Sequence, residues 1–146
     1  MPAPEYIASA CLAGELCRWD GTSRPNPEVV EMVKSGRAVA LCPEVLGNLG
    51  VPRLKAEIRG GDGDDVISGE AKVINEENQD VTEAFLMGAK IFLRQAQKLG
   101  IKKALMKENS PSCGVKAIYN NEKLVGGCGV TTALLLNDGI EIEAIQ

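Results

Sequence analysis

The chain has 146 residues, 45% of them hydrophobic and 25% charged, with a formal net charge of −4. That balance fits one globular domain with a single substantial core. It argues against a nucleic-acid partner, because there is no basic stripe and aromatics make up only 3%, and no apolar run approaches the ~20 residues needed to cross a bilayer.

The first residues, MPAPEY, show neither the basic stretch nor the long apolar stretch of a secretory signal, so the expected location is cytoplasmic. Five cysteines, an odd number, do not read as a disulfide framework in that compartment. Histidine is absent. That excludes Ser-His-Asp and Cys-His triads and the usual imidazole ligand of a zinc enzyme. Any chemistry falls to Cys, Asp, Glu, Lys, Ser or a cofactor.

Tyr6 to Ala10 is mostly apolar and reads as a first strand that delivers Cys11. A loop rich in Gly and polar residues leads to Asn26-Pro27-Glu28, where Asn is an N-cap, Pro takes the first helical position and an acid follows in the first turn. The helix is expected over Pro27 to Ser35, closed at Gly36. Arg37 to Leu41 is a second strand ending in Cys42-Pro43-Glu44, and the order so far predicts a parallel pair. Gly47 to Asp65 reads as an irregular excursion, with Asp62, Asp64 and Asp65 in a solvated turn, and Val66 to Ile74 as a short edge hairpin.

Asp80-Val81-Thr82-Glu83 has the pattern of a capping box. The helix behind it, Val81 to Leu99, carries Val81, Phe85, Ala89, Phe92, Ala96 and Leu99 on one stripe. A third strand in Ile101 to Met106 delivers the loop Asn109-Ser110-Pro111-Ser112-Cys113-Gly114, which Pro111 forces to turn. Ala117 to Tyr119 and Lys123 to Val125 flank Asn120-Asn121-Glu122 as a hairpin. Val130 to Leu136 is a last helix, opened by glycines that either bind an anion or permit close packing, and Ile140 to Ile145 is an edge strand. The expected fold is a single α/β domain over residues 1–146, with a mainly parallel sheet and flanking helices.

Cys11, Cys42 and Cys113 each stand at or soon after the end of a strand, the side on which parallel sheets bind ligands. A cysteine there is also a common small buried hydrophobe. Three of them converging form a metal site instead, and soft thiolates suit an iron–sulfur cluster better than closed structural zinc. Three ligands on a cubane leave one iron open as a Lewis acid. Cys17 and Cys128 lack the strand-end setting and read as packing residues. Arg18 and Asp20 read as a local ion pair bracing the first cysteine loop.

The segments SACLAGELCRWDG, CPEVLGNLGVPR with the following AEI, DVTEAFLMGA, KENSPSCG and GVTTALL closely resemble the domain of unknown function 523 family, which includes thiouracil desulfidases. The resemblance spans nearly the whole chain. It implies a [4Fe–4S] cluster held by Cys11, Cys42 and Cys113, a small thiolated substrate, and a catalytic pair in Glu44 and Ser110. Ala13 and Trp19 depart from the more usual Leu and Tyr, which bears on substrate preference. Ser112 is placed to meet substrate or a cluster sulfur, and Ser9 to support the site from behind. Two further readings stand beside desulfuration: a cluster carrier or sensor without turnover, and a metal-free thiol enzyme with Cys113 as nucleophile or persulfide carrier. Oligomeric state has no signal in the sequence.

Overall fold

The computed structural model describes residues 3–146. Four strands, β1 (Tyr6–Ser9), β2 (Ala38–Leu41), β5 (Lys103–Lys107) and β8 (Glu141–Ile145), form one sheet in the order β2-β1-β5-β8. Every pairing in it is parallel. Five helices complete the chain: α1 (Pro27–Lys34), α2 (Pro43–Leu46), α3 (Gly63–Ser68), α4 (Thr82–Lys98) and α5 (Val130–Asn137). Two antiparallel ribbons stand apart from the sheet, β3 (Ala56–Arg59) with β4 (Lys72–Asn75), and β6 (Ala117–Asn120) with β7 (Lys123–Gly126). The α/β class with a parallel sheet is as expected.

The central strands are apolar on both faces because both faces are covered. Ile7, Ala104 and Met106 pack with Phe92 and Ala96 of α4 and Leu135 of α5. The alternate residues, Ala8 and Leu105, pack with Val29 and Met32 of α1. This period-two division needs no aromatic bulk beyond Phe92 on that side. A third cluster joins Ile58, Val66 and Val73 to Phe85 and Ala89 of α4, which ties the β3–β4 ribbon to the body.

Asn26 caps α1, its side-chain oxygen accepting from the N–H groups of Glu28 and Val29 at 3.0 and 3.1 Å. The β6–β7 turn is made by Asn121 and Glu122, both at positive φ (51° and 63°), the backbone of a tight type I′ hairpin. Both N–H groups are held by the Glu57 carboxylate.

Two expectations are corrected. Residues 47–74 are neither an excursion nor an edge hairpin: they contain β3, α3 and β4. Asp62 starts α3 with a reciprocal cap, its side chain accepting from Asp64 N–H while Asp65 Oδ2 accepts from Asp62 N–H at 2.9 Å. A charged stretch that reads as a solvated turn is thus a helix start, and it buries Val66. The capping box at Asp80 is also not formed. Asp80 accepts from Thr82 N–H, but Val81 has no side-chain cap bond, and Thr82 Oγ1 is turned to accept from Val73 N–H in β4.

Two close approaches place the second cysteine segment. A Cβ at Gly88 of α4 would collide with the Pro43 carbonyl, and one at Gly47 with the Ala84 carbonyl. The short helix α2 is therefore seated backbone to backbone on α4.

Candidate active site

The register aligns Ser9 with Leu41 across β1 and β2, and Ala8 with Leu105 across β1 and β5. The three adjacent strands therefore end together, and the chain leaving each one carries Cys11, Cys42 or Cys113. Cys11 lies in a 3₁₀ turn, Ala10–Ala13, Cys42 is the N-cap of α2, and Cys113 follows β5 in the Pro111 loop. Cys11 and Cys113 are buried and Cys42 is half-buried. Their ionisations act on one another. Burial raises the Cys11 thiol; Arg18 opposes this and Cys42 adds to it. Burial likewise pushes Cys113 up, the Ser9 hydroxyl opposes, and Cys42 and Cys11 push further. The topology brings the three cysteine-bearing segments to one end of the sheet.

The other two cysteines part ways. Cys17 lies against Cys42, whose Sγ donates to the Cys17 carbonyl at 3.7 Å. The contact with the Cys17 thiol, aided by the Val45 backbone, lowers Cys42 to about 7, and the same contact drives Cys17 up. Cys128 belongs to another corner. Its thiol is 3.8 Å from Asp62 Oδ2 and is raised to about 11 by burial and by Asp62 and Asp64. The ligand atoms of Asp62, Asp64 and Cys128 lie within 4.8 Å of one another. Both Asp62 oxygens, however, already accept backbone N–H groups, from Asp64 and Cys128.

The Cys113 loop is held almost entirely through backbone. Ser110 Oγ accepts from Cys113 N–H at 2.7 Å. The opening N–H groups of α5 point into the same loop: Val130 donates to Pro111 O, and Thr131 to Ser112 O. Thr132 Oγ1 donates to Cys113 O at 2.8 Å, and Ser112 Oγ bonds Thr131 Oγ1 at 2.9 Å. A Cβ at Gly129 would strike Ser112 and Pro111, so the GVTT segment serves close packing and its N–H groups are used internally. Ser112 is fixed toward α5. Ser9 Oγ accepts from Lys107 N–H at 3.0 Å, stitching the ends of β1 and β5 directly behind Cys113.

Glu108, a member of the KENSPSCG segment to which the sequence reading gave no role, is the keystone of this loop. It is buried, and its carboxylate accepts from the N–H groups of Asn109, Val115, Lys116 and Ala117. Burial alone would raise its pKa; the four backbone donors outweigh burial and hold it below 4.5.

Glu44 stands two residues after Cys42 in a two-point pair with Arg53, at 3.3 Å (Nη2 to Oε2) and 3.4 Å (Nε to Oε1). A cleft of about 340 Å³ opens beside the pair, walled by Leu49, Leu54 and Phe85 and also lined by Gln79 and the buried Asn75, whose amide donates to Gln79 Oε1. Glu44 thus stands two residues from Cys42 in the chain and lines the cleft.

The expected Arg18–Asp20 ion pair is not formed. Asp20 accepts from the N–H and hydroxyl of its neighbour Thr22, and the ion pairs among the described residues are Arg53–Glu44 and Lys72–Asp80. Arg18 Nε is instead buried without an acceptor.

The sequence profile of the 2-thiouracil desulfurase family matches residues 7–145. This chain belongs to that family. It is 40% identical over 139 residues to the uncharacterized protein YbbK of Bacillus subtilis (strain 168), covering 93% of this chain and 92% of that one. The solved structure of TudS, a [4Fe–4S]-dependent thiouracil desulfidase, superposes with a TM-score of 0.84 at 40% identity, over 97% of this chain and 90% of that one. The family assignment agrees with the resemblance read from the cysteine segments. No described helix is long and apolar enough to cross a membrane.

Proposed function

We propose that this protein is a desulfidase that replaces the thiocarbonyl sulfur of a small thiolated base, such as a thiouracil, by the oxygen of water, with a [4Fe–4S] cluster held by Cys11, Cys42 and Cys113. The observation that carries this reading is the meeting of three thiols at three adjacent strand ends, with no histidine to serve as a base. The donor set suits the group. Two of the three soft sulfur ligands, Cys11 and Cys113, lie where burial resists ionisation, Cys42 is already held toward its thiolate, and a bound cationic iron core favours all three thiolates. The nearby buried Arg18 Nε lacks an acceptor that a sulfur cage would supply.

When bound, such a cluster supplies a Lewis-acidic iron without a protein ligand, able to hold and polarise a thiocarbonyl sulfur. The rest is done by the chain. The apolar walls of the cleft beside Glu44 suit a flat heteroaromatic ring, and the Gln79 amide N–H groups suit its polar edge. Glu44 takes a proton from the attacking water and returns one to the departing sulfur, and Arg53 fixes the direction in which the carboxylate points. Ser110 has its oxygen engaged by Cys113 N–H, which leaves its hydroxyl hydrogen free to donate toward the substrate. Atoms balance as thiocarbonyl plus water giving carbonyl plus hydrogen sulfide, with no net redox change.

The test is anaerobic reconstitution with iron and sulfide, followed by assay of sulfide release from thiolated pyrimidines. Wild type should bind about four irons per chain and release sulfide. Cys113→Ser should lose both cluster and activity. Turnover without iron would point to the thiol enzyme, and a full cluster without turnover on any thiolated pyrimidine would point to a carrier.

A further inference from the structure

The loop between Cys11 and α1 is folded back onto the Cys11 turn. Arg24 N–H donates to Cys11 O at 3.0 Å, and Asn26 N–H to Leu12 O at 2.9 Å. Within it, Arg18 closes a small turn of its own, its N–H donating to Thr22 O and its carbonyl accepting from Gly21 N–H. The backbone of Arg18 is therefore fixed while its side chain turns inward. Among the described residues, Arg18 Nε is the side-chain nitrogen or oxygen that is buried with no hydrogen-bond partner. Buried donors are satisfied in native proteins, and one on a charged group is especially costly to leave bare. The nearest candidate acceptor in sequence, Asp20, is taken by Thr22.

The orphan sits by the thiols. Arg18 directly follows Cys17, whose carbonyl accepts from Cys42 Sγ at 3.7 Å, and its loop is tied back to the Cys11 carbonyl through Arg24 N–H. An acceptor for it must reach a buried Nε beside these thiols and come from outside the described residues. A thiolate-ligated iron–sulfur cage meets each condition, since its sulfurs accept N–H bonds and those bonds tune its potential.

We infer that Arg18 donates its Nε–H to a sulfur of the cluster at Cys11, either the Cys11 thiolate or an adjoining sulfide, and thereby holds the cluster and raises its reduction potential. Arg18 is a positioning residue, acting through the cluster. The inference rests on the cluster proposed above. It adds a donor from the protein to the three ligands, placed on a loop that none of them occupies except Cys11.

The experiment uses the anaerobically reconstituted protein and compares Arg18→Lys, Arg18→Gln and Arg24→Gln. Lysine keeps the charge but puts a methylene where Nε stands, so it removes the donor alone. Arg24 side-chain bonds reach only Ser23 O and Thr22 Oγ1, so its variant controls for charge. Redox titration followed by electron paramagnetic resonance should show the reduction equilibrium of Arg18→Gln shifted toward the oxidised form by about tenfold, or ~59 mV for a one-electron couple. Arg18→Lys should shift the same way by at least about threefold, and a chelator should strip iron faster from both. Arg24→Gln should stay at the wild-type potential. If Arg18→Gln does not fold, Arg18→Lys decides. A wild-type potential in Arg18→Lys, or an equal shift in Arg24→Gln, overturns the inference. Wild-type protein that binds no iron and sulfide overturns the cluster itself, a distinguishable failure.

Discussion

The two halves of the candidate site are built on different principles. Around Cys113 nearly every polar group is spent on structure: Glu108 gathers four N–H groups, α5 donates its opening amides to the loop, and Ser112, Thr131 and Thr132 bond one another or the backbone. Around Cys11 and Cys42 the polar groups are left aimed at the site. Glu44 and Arg53 face a cleft, Cys17 leans on Cys42, and Arg18 Nε has no partner. A satisfied network fixes a ligand in place, whereas chemistry needs groups not yet consumed. In the proposed mechanism the C-terminal half is the anvil, and the N-terminal half carries the reactive charges.

The sharpest way to break that division is at Glu44. Glu44→Gln should keep the iron and sulfide content, yet lower sulfide release by ~10²–10⁴-fold, the usual worth of a general acid–base group. Loss of the cluster in that variant would move Glu44 from chemistry to support. The mirror experiment is Glu108→Ala, which strips several buried N–H groups of their acceptor. Chemical denaturation should show a loss of about 3 kcal/mol or more, with activity falling only because the Cys113 loop no longer holds its shape.

Acid sharpens the same contrast. The folded carboxyl of Glu108 lies below its ordinary value of 4.5, so its contribution is complete above that value and is lost as pH falls through the lower folded one. Denaturation curves from pH 6 to about pH 3 should fall more steeply for wild type than for Glu108→Gln, whose amide does not titrate. Parallel curves would mean that the carboxylate carries no differential charge stabilisation.

Gly88→Ala tests the seat of the N-terminal half. The new methyl would meet the Pro43 carbonyl, so α2 must lift from α4, at about 1–3 kcal/mol. Sulfide release should fall more than stability, since Cys42 and Glu44 ride on that helix. The smallest effect belongs to Cys17→Ser. The cluster absorbance should be unchanged, because Cys17 touches Cys42 without standing at a strand end. Lost absorbance would make it a fourth ligand.

The frame of the site was legible because its signals are local. Short apolar runs ending in cysteine, the Asn26 cap and the Asn121-Glu122 turn each involve residues a few positions apart. The missed features depend on partners distant in sequence, or on groups that look ordinary alone. Glu108 is one acid after a strand, and nothing in its neighbours announces that the chain up to Ala117 wraps around it. The glycines before α5 allowed an anion site or close packing, and the choice of packing is made by an upstream loop that takes the N–H groups. Asp62 looked like part of a wet turn because a reciprocal cap and an acidic loop share a composition. Arg18 and Asp20 were paired by proximity in the chain, which the Thr22 turn overrides.

The order of strands also dictates when this protein can acquire its iron. The bond from Lys107 N–H to Ser9 Oγ joins residues 98 apart, and Cys113 is held by a helix that begins at Val130. A ribosome must therefore release almost the entire chain before the third thiol has a place to stand. Until then Cys11 and Cys42, the first two proposed ligands, stand on an unfinished sheet with β2 as its outer edge. Loading of the proposed cluster is consequently a late event, coupled to docking of β5 and α5 rather than to synthesis of the first cysteines.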